Sequence, residues 1–185
     1  MKLWSIRRVS ELEGLARDGA FRTSPDKADK DLRIAYQWMA DQLRAKIGQP
    51  PKGIDYPIWV WQSFKGTKRP APDLRSRCLL PKGSHGIRVE FEIPESSVLL
   101  SDFDGWHSVV NNHHYSLNDN EYNEIEQLIA LKGSNHPEIE HLKKESWQRI
   151  FDLSLIPDVS NTAIQGVVWE IPESSIKKID HFVAR

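Results

Sequence analysis

With 185 residues, 39% apolar and 28% charged, the chain has the composition of a soluble globular protein with a sizeable core. A net charge of −1 excludes the strongly basic signature of a general nucleic-acid binder, and a single cysteine excludes an internal disulfide or a thiolate metal cluster. No apolar run approaches the ~18–20 residues that cross a bilayer, and the early charges of Met1 to Arg8 do not suit a signal peptide, so a cytoplasmic protein without a membrane partner is expected.

Leu3-Trp4-Ser5-Ile6 reads as a first strand. Ser10 with Glu13 three residues on reads as a capping box opening a helix that Gly19 stops. A polar connector over 24–31 leads to a longer helix with Leu32, Ala35, Tyr36, Met39, Ala40 and Leu43 at helical spacing, closed by Gly48 and Pro50-Pro51. Tyr56 to Trp61 is a strand with Trp59 and Trp61 on one face, where an incompletely buried pair would offer a stacking surface to a base or nicotinamide ring. A loop from Lys65 to Arg77 carries Arg69 and Arg75. Cys78-Leu79-Leu80 and residues 87–93 are the next β runs, with Cys78 expected in the core. Residues 118–132 and 137–151 are expected to form two helices, and 164–171 the last strand.

One phrase occurs twice. Glu92-Ile93-Pro94-Glu95-Ser96-Ser97-Val98 and Glu170-Ile171-Pro172-Glu173-Ser174-Ser175-Ile176 each follow a β-rich run. Proline cannot donate to a ladder, so each strand must end or turn there, and two such units suggest related strands of one sheet. The expected fold is α+β with a mostly antiparallel sheet, N-terminal helices and an inserted helical pair over 117–152, all in one domain of residues 1–185.

Gly-rich phosphate loops, nucleophile elbows and metalloprotease motifs are absent. Asp102, Asp104 and His107 are candidate acid–base groups in a segment that also reads as a turn, with Gly105 supplying a positive φ and Trp106 an anchor. Asn111-Asn112-His113-His114 reads as a solvated loop, since adjacent histidines in an extended chain face opposite ways. A cleft lined by Trp61, Arg69, Arg75, Asp102, Asp104, Trp106 and His107 is expected, because loops leaving strands concentrate function.

Leu3-Trp4-Ser5-Ile6, Tyr36-Gln37-Trp38-Met39, Pro57 to Trp61, Pro72-Asp73-Leu74-Arg75 and Leu99 to His107 resemble the bacterial family known as domain of unknown function 3841, over nearly the whole chain. A more distant resemblance is to ADP-ribosyltransferase-like domains, carried by the first strand, helix and Gly19, and by Gln165 to Pro172 with Ile176. That resemblance implies NAD as cofactor. It places Ser5 or Arg7 at the first-strand position usually held by histidine or arginine, and Gln165 where a catalytic glutamate commonly sits. With NAD in the expected cleft, Arg69 or Arg75 would hold phosphates by forked hydrogen bonds, Trp61 and Trp106 would stack, and Gln165 or Asp104 would orient the ribose, in a divergent transferase acting as a toxin or defence protein. The competing expectation is a non-catalytic module that recognises a protein or nucleic-acid target.

Overall fold

The computed structural model describes residues 1–23 and 32–185, so the connector expected over 24–31 lies outside the described residues. The chain forms two compact units, residues 1–100 with 158–185 and residues 101–157. No described helix is long and apolar enough to cross a membrane.

The first unit is built on a six-stranded sheet. Its strands are β1 (Lys2–Arg8), β3 (Ile58–Ser63), β4 (His85–Glu92), β5 (Leu99–Asp102, whose last two residues belong to the second unit), β6 (Ile164–Val168) and β8 (Ile176–Val183). The order is β5-β6-β3-β1-β4-β8, and β2 (Ala20–Phe21) pairs with β7 (Ile171–Pro172) in a small second sheet. The pairings β1 with β3 and β4, β3 with β6, and β4 with β8 are all antiparallel. The fold is therefore α+β with a mostly antiparallel sheet, as the sequence predicts.

The duplicated phrase has the same local structure both times. Pro94 (φ −57°, ψ 144°) and Pro172 (φ −60°, ψ 139°) are extended and are followed by single 3-10 turns, Glu95–Ser97 and Glu173–Ser175. The chain then returns as β5 after the first copy and β8 after the second. These return strands are exchanged: β8 pairs with β4, which leads into the first copy, and β5 lies beside β6, which leads into the second. The two copies thus frame β3 and β1 from both sides of one sheet.

One face of that sheet buries Leu3, Ile58, Val60, Ile87, Val89, Phe91 and Val168, closed by Leu15 of α1 (Leu12–Asp18) and Phe21. Each such side chain stabilises the fold by roughly 1.5–3 kcal/mol, so this face carries much of the unit's stability. The opposite face carries a cross-strand row of Gln165, Trp61, Trp4, Glu90 and Lys178, fixed by the register. Helix α2 (Arg33–Lys46) buries Ala35, Met39, Ala40 and Leu43 and sets Tyr36 against Trp59 at 5.7 Å. Trp169 donates its indole N–H to Gly48 O at 2.8 Å, fixing the chain just past α2.

Three expectations need correction. Residues 78–80 form turns, not a strand, and Cys78 is exposed with its sulfur 3.1 Å from Ser76 Oγ. Both edges of β4 are already taken by β1 and β8, and prolines at 72 and 81 remove donors nearby. Ser10 does not cap the first helix; a 3-10 turn begins at Val9 and Glu11 accepts from Arg8 N at 3.1 Å. The last long strand is β8, whose exposed lysines at 177 and 178 suit a sheet edge and hide its period.

The second unit is helical: α3 (Phe103–Val110), α4 (Asp119–Lys132) and α5 (Pro137–Trp147), extended by a 3-10 turn over Gln148–Phe151. Asp102, Asn118 and His136 cap the three N-termini with their side chains, and Pro137 occupies the first turn of α5. Trp106, Val109, Ile125, Ile139, Trp147, Ile150 and Ile156 are its buried apolar side chains.

Candidate functional site

In the first unit the chemistry gathers where β1 ends. Arg7 is 8% exposed, stacks on the Phe21 ring at 5.2 Å and donates to Glu11 and to Arg22 O. Its Nε–H is buried without an acceptor among the described residues. Burial pushes the guanidinium below its ordinary value, and the adjoining Glu11 carboxylate opposes that shift. A buried donor left unpaired costs ~1–3 kcal/mol, so one in a native fold calls for a reason, such as a water, an ion or a functional role.

Arg7 and Glu11 line a pocket of about 210 Å³ whose other walls are Ile6, Thr23, Tyr36, Tyr56, Pro57 and Trp59. That volume holds one ring system. A larger cavity of about 450 Å³, reaching Arg17, Arg22 and Gly53, shares Glu11 and Thr23 with it. Glu11, Tyr36 and Tyr56 were not singled out as site residues in the sequence. Arg7 and Glu11 are four residues apart, but that spacing places them together only because the strand runs straight into a 3-10 turn.

The other first-unit candidates lie elsewhere. Ser5 is buried and donates to Trp59 O at 3.2 Å, a bond that ties β1 to β3. Trp61 is half-buried and meets Phe64 edge-on at 5.0 Å. Arg69 is exposed on a tight turn closed by its own N–H to Gly66 O at 3.2 Å. Arg75 is exposed too, and both arms of its fork are occupied by Asp73, at 3.0 and 2.9 Å, which holds that carboxyl far below its usual range. Gln165 is 4% exposed, with its amide nitrogen unpartnered among the described residues. Side chains alternate along a strand, so Arg7 and Ser5 face away from Trp4, whereas Gln165 shares the face of Trp4 through Trp61. Strand geometry does not bring Arg7 and Gln165 into one cleft.

In the second unit, residues 102–107 open α3 instead of forming a turn. Asp102 is 6% exposed and accepts from Asp104 N (3.0 Å), Gly105 N (3.1 Å) and Tyr115 Oη (2.9 Å). Burial, reinforced by that last bond, raises the Tyr115 phenol well above its ordinary value. Gly105 is helical, and its lack of a side chain has a packing reason: a Cβ there would lie 3.0 Å from each of Asp102 Oδ2, Ile150 Cγ2 and Tyr115 Cζ. Trp106 is buried. Asp104 and His107 are exposed one turn apart on α3, where His107 packs edge-on against Phe103 at 4.8 Å.

Asn111, Asn112 and His113 are exposed, as expected of a solvated loop, and the chain turns inward at His114. His114 bonds Ser116 Oγ at 2.9 Å and has a side chain only 9% exposed. Burial holds its imidazole below the ordinary value; Glu121 opposes the shift and Arg149 adds to it. A histidine kept neutral by the fold contributes stability that is complete above the unfolded value of ~6.5 and is lost as pH falls through the folded value. Urea melts of the wild type should therefore weaken as pH drops from ~7 toward ~5, and His114→Gln should flatten that slope. An unchanged slope would mean that His114 is not the group titrating.

A family model for the domain of unknown function DUF3841 matches residues 2–177. The chain belongs to this family. No curated protein and no solved structure gives a significant match.

Proposed function

We propose that this DUF3841 protein binds a nucleotide-like ligand, NAD foremost, with a planar ring seated in the Arg7 pocket. The observation that carries this reading is the buried Arg7 guanidinium, short of one acceptor, in a pocket walled by Tyr36, Tyr56 and Trp59. Aromatic faces suit a base or nicotinamide ring, and a guanidinium suits a phosphate or carboxamide oxygen. The adjoining cavity offers room for the remainder of a dinucleotide.

The enzymatic form of the proposal is divergent ADP-ribosyl transfer, in a toxin or defence role. There the bond from ribose to nicotinamide breaks, nicotinamide leaves, and the acceptor loses its proton as it bonds the ribose. Glu11 is the pocket carboxylate that would orient a ribose hydroxyl in this form. A second reading, a module that binds without turnover, is favoured by the opposite facing of Arg7 and Gln165.

Calorimetry with NAD, ADP-ribose and nicotinamide tests the binding, and labelled NAD with a cell lysate tests the reaction. Wild type should bind NAD, and Arg7→Lys, which keeps charge but loses the fork, should bind at least ~tenfold more weakly. Label transfer or nicotinamide release would support the enzyme; binding without either would support the module. No heat with any of the three ligands, or equal affinity in Arg7→Lys, would overturn the proposal.

A further inference from the structure

The second unit carries a feature that nucleotide binding does not use. A groove of about 780 Å³ runs between α4 and the 111–116 loop, reaching Lys143 of α5. On its α4 wall Tyr122 is 54% exposed and Ile129 is half-buried, with Ile125 buried at the base between them. Glu126 stands on the same wall, exposed and one turn from Tyr122. The facing wall is held from behind: Trp147 donates to His113 O at 2.7 Å, Tyr115 N donates to Ser146 Oγ at 2.9 Å, and Arg149 donates to Tyr115 O at 3.0 Å. A wall fixed in this way loses little freedom when something docks against it.

Charge selects the occupant. The second unit has ten carboxylates against four lysines and arginines, a net of −6, in a chain whose total is −1. Lys143, the cation at the groove, is already paired with Glu140 at 2.9 Å.

We infer that this groove is a docking site for a basic amphipathic helix of a partner protein. Its apolar stripe lies along Tyr122 and Ile129, and its lysines or arginines meet Glu126 and the surrounding negative field. Helices dock into grooves through anchors at this spacing. Long-range attraction between the two charge patterns speeds association and is weakened by salt.

The test is fluorescence anisotropy on the full chain with a labelled leucine–lysine amphipathic helix of ~15 residues, long enough to be helical when bound. A leucine–glutamate peptide of the same pattern is the control. The lysine peptide should bind and the glutamate peptide should not. Tyr122→Ala and Glu126→Lys should each weaken binding about tenfold, while Glu173→Lys, an exposed acid of the first unit, should leave it unchanged. All three substituted positions are exposed, and circular dichroism verifies that each variant is folded. Equal binding of the two peptides, no effect of Tyr122→Ala, or equal losses from Glu126→Lys and Glu173→Lys would overturn the inference.

Discussion

Gly66→Ala should be among the most damaging single substitutions in this protein, lowering stability by about 4 kcal/mol or more. Gly66 has φ +70°, and a Cβ placed on it would lie 1.8 Å from Ser160 O and 2.4 Å from Ser160 C. Those atoms are backbone, so no rotamer change relieves the clash. The 158–162 segment cannot simply withdraw, because Thr162 O accepts from Ser63 Oγ at 3.1 Å and Ser63 Oγ accepts from Ile164 N at 3.2 Å, which tie it to β3. Total stabilities of domains are ~5–15 kcal/mol, so a loss of this size removes a large share. Thermal melting should fall by roughly 10 °C or more. Gly83→Ala is the matched control: its φ is +81°, but nothing lies within 4 Å of its Cβ position. It should cost only the conformational part, ~1–2 kcal/mol. Equal losses at the two sites would show that the approach to Ser160 is not close.

Asp102→Ala should cost about 3 kcal/mol, through loss of the α3 cap at ~0.5–2 kcal/mol and the stranding of buried donors at ~1–3 kcal/mol. Tyr115→Phe removes one hydroxyl and leaves both capping bonds, so it should cost ~1 kcal/mol. The double variant should cost less than the sum, because the Tyr115 hydroxyl has already lost its acceptor in Asp102→Ala. Chemical denaturation of the four proteins closes the cycle. This series also separates two roles for Asp102. A capping residue lowers stability when replaced and has no separate effect on any reaction; a catalytic carboxylate would abolish turnover in Asp102→Asn at near-normal stability. Its three accepted bonds favour the cap.

The architecture was readable wherever a local rule and the tertiary structure agreed. Each Glu-Ile-Pro-Glu-Ser-Ser copy contains its own terminator in the proline, so the paired strands and their membership of one sheet could be read from the sequence. The exchange of return strands could not, since β8 joins the free edge of β4 through partners far apart in the chain, such as Arg88 and Asp180 at 2.6 Å. Helix α4 was legible from Asn118, its apolar face and Gly133. Residues 102–107 were misread because an aspartate followed by glycine signals a turn just as well as a cap; what decides for the helix is the packing of Ile150 and Tyr115 against Gly105. Arg7 entered as a candidate only through the resemblance of the first strand, as an alternative to Ser5. Its pocket was not legible, because Tyr36, Tyr56 and Trp59 come from different elements and meet only after α2 packs beside β3. Gln165 is buried on β6, whereas Glu170, five residues on, reaches Arg22 at 3.0 Å. The face that Gln165 shares depends on the register with Trp61, which the sequence does not encode locally.

The most direct measurement is an NMR titration of the indole N–H resonances of the seven tryptophans with NAD. Trp59→Phe identifies one peak, and Trp106 and Trp147, buried in the second unit, serve as internal references. Ligand bound in the Arg7 pocket must shift the Trp59 resonance first and most, with saturable dependence on NAD, and Arg7→Lys must weaken that response. A Trp59 peak that stays in place while NAD saturates the protein, or while other tryptophans move, would contradict the assignment of the ligand to this pocket.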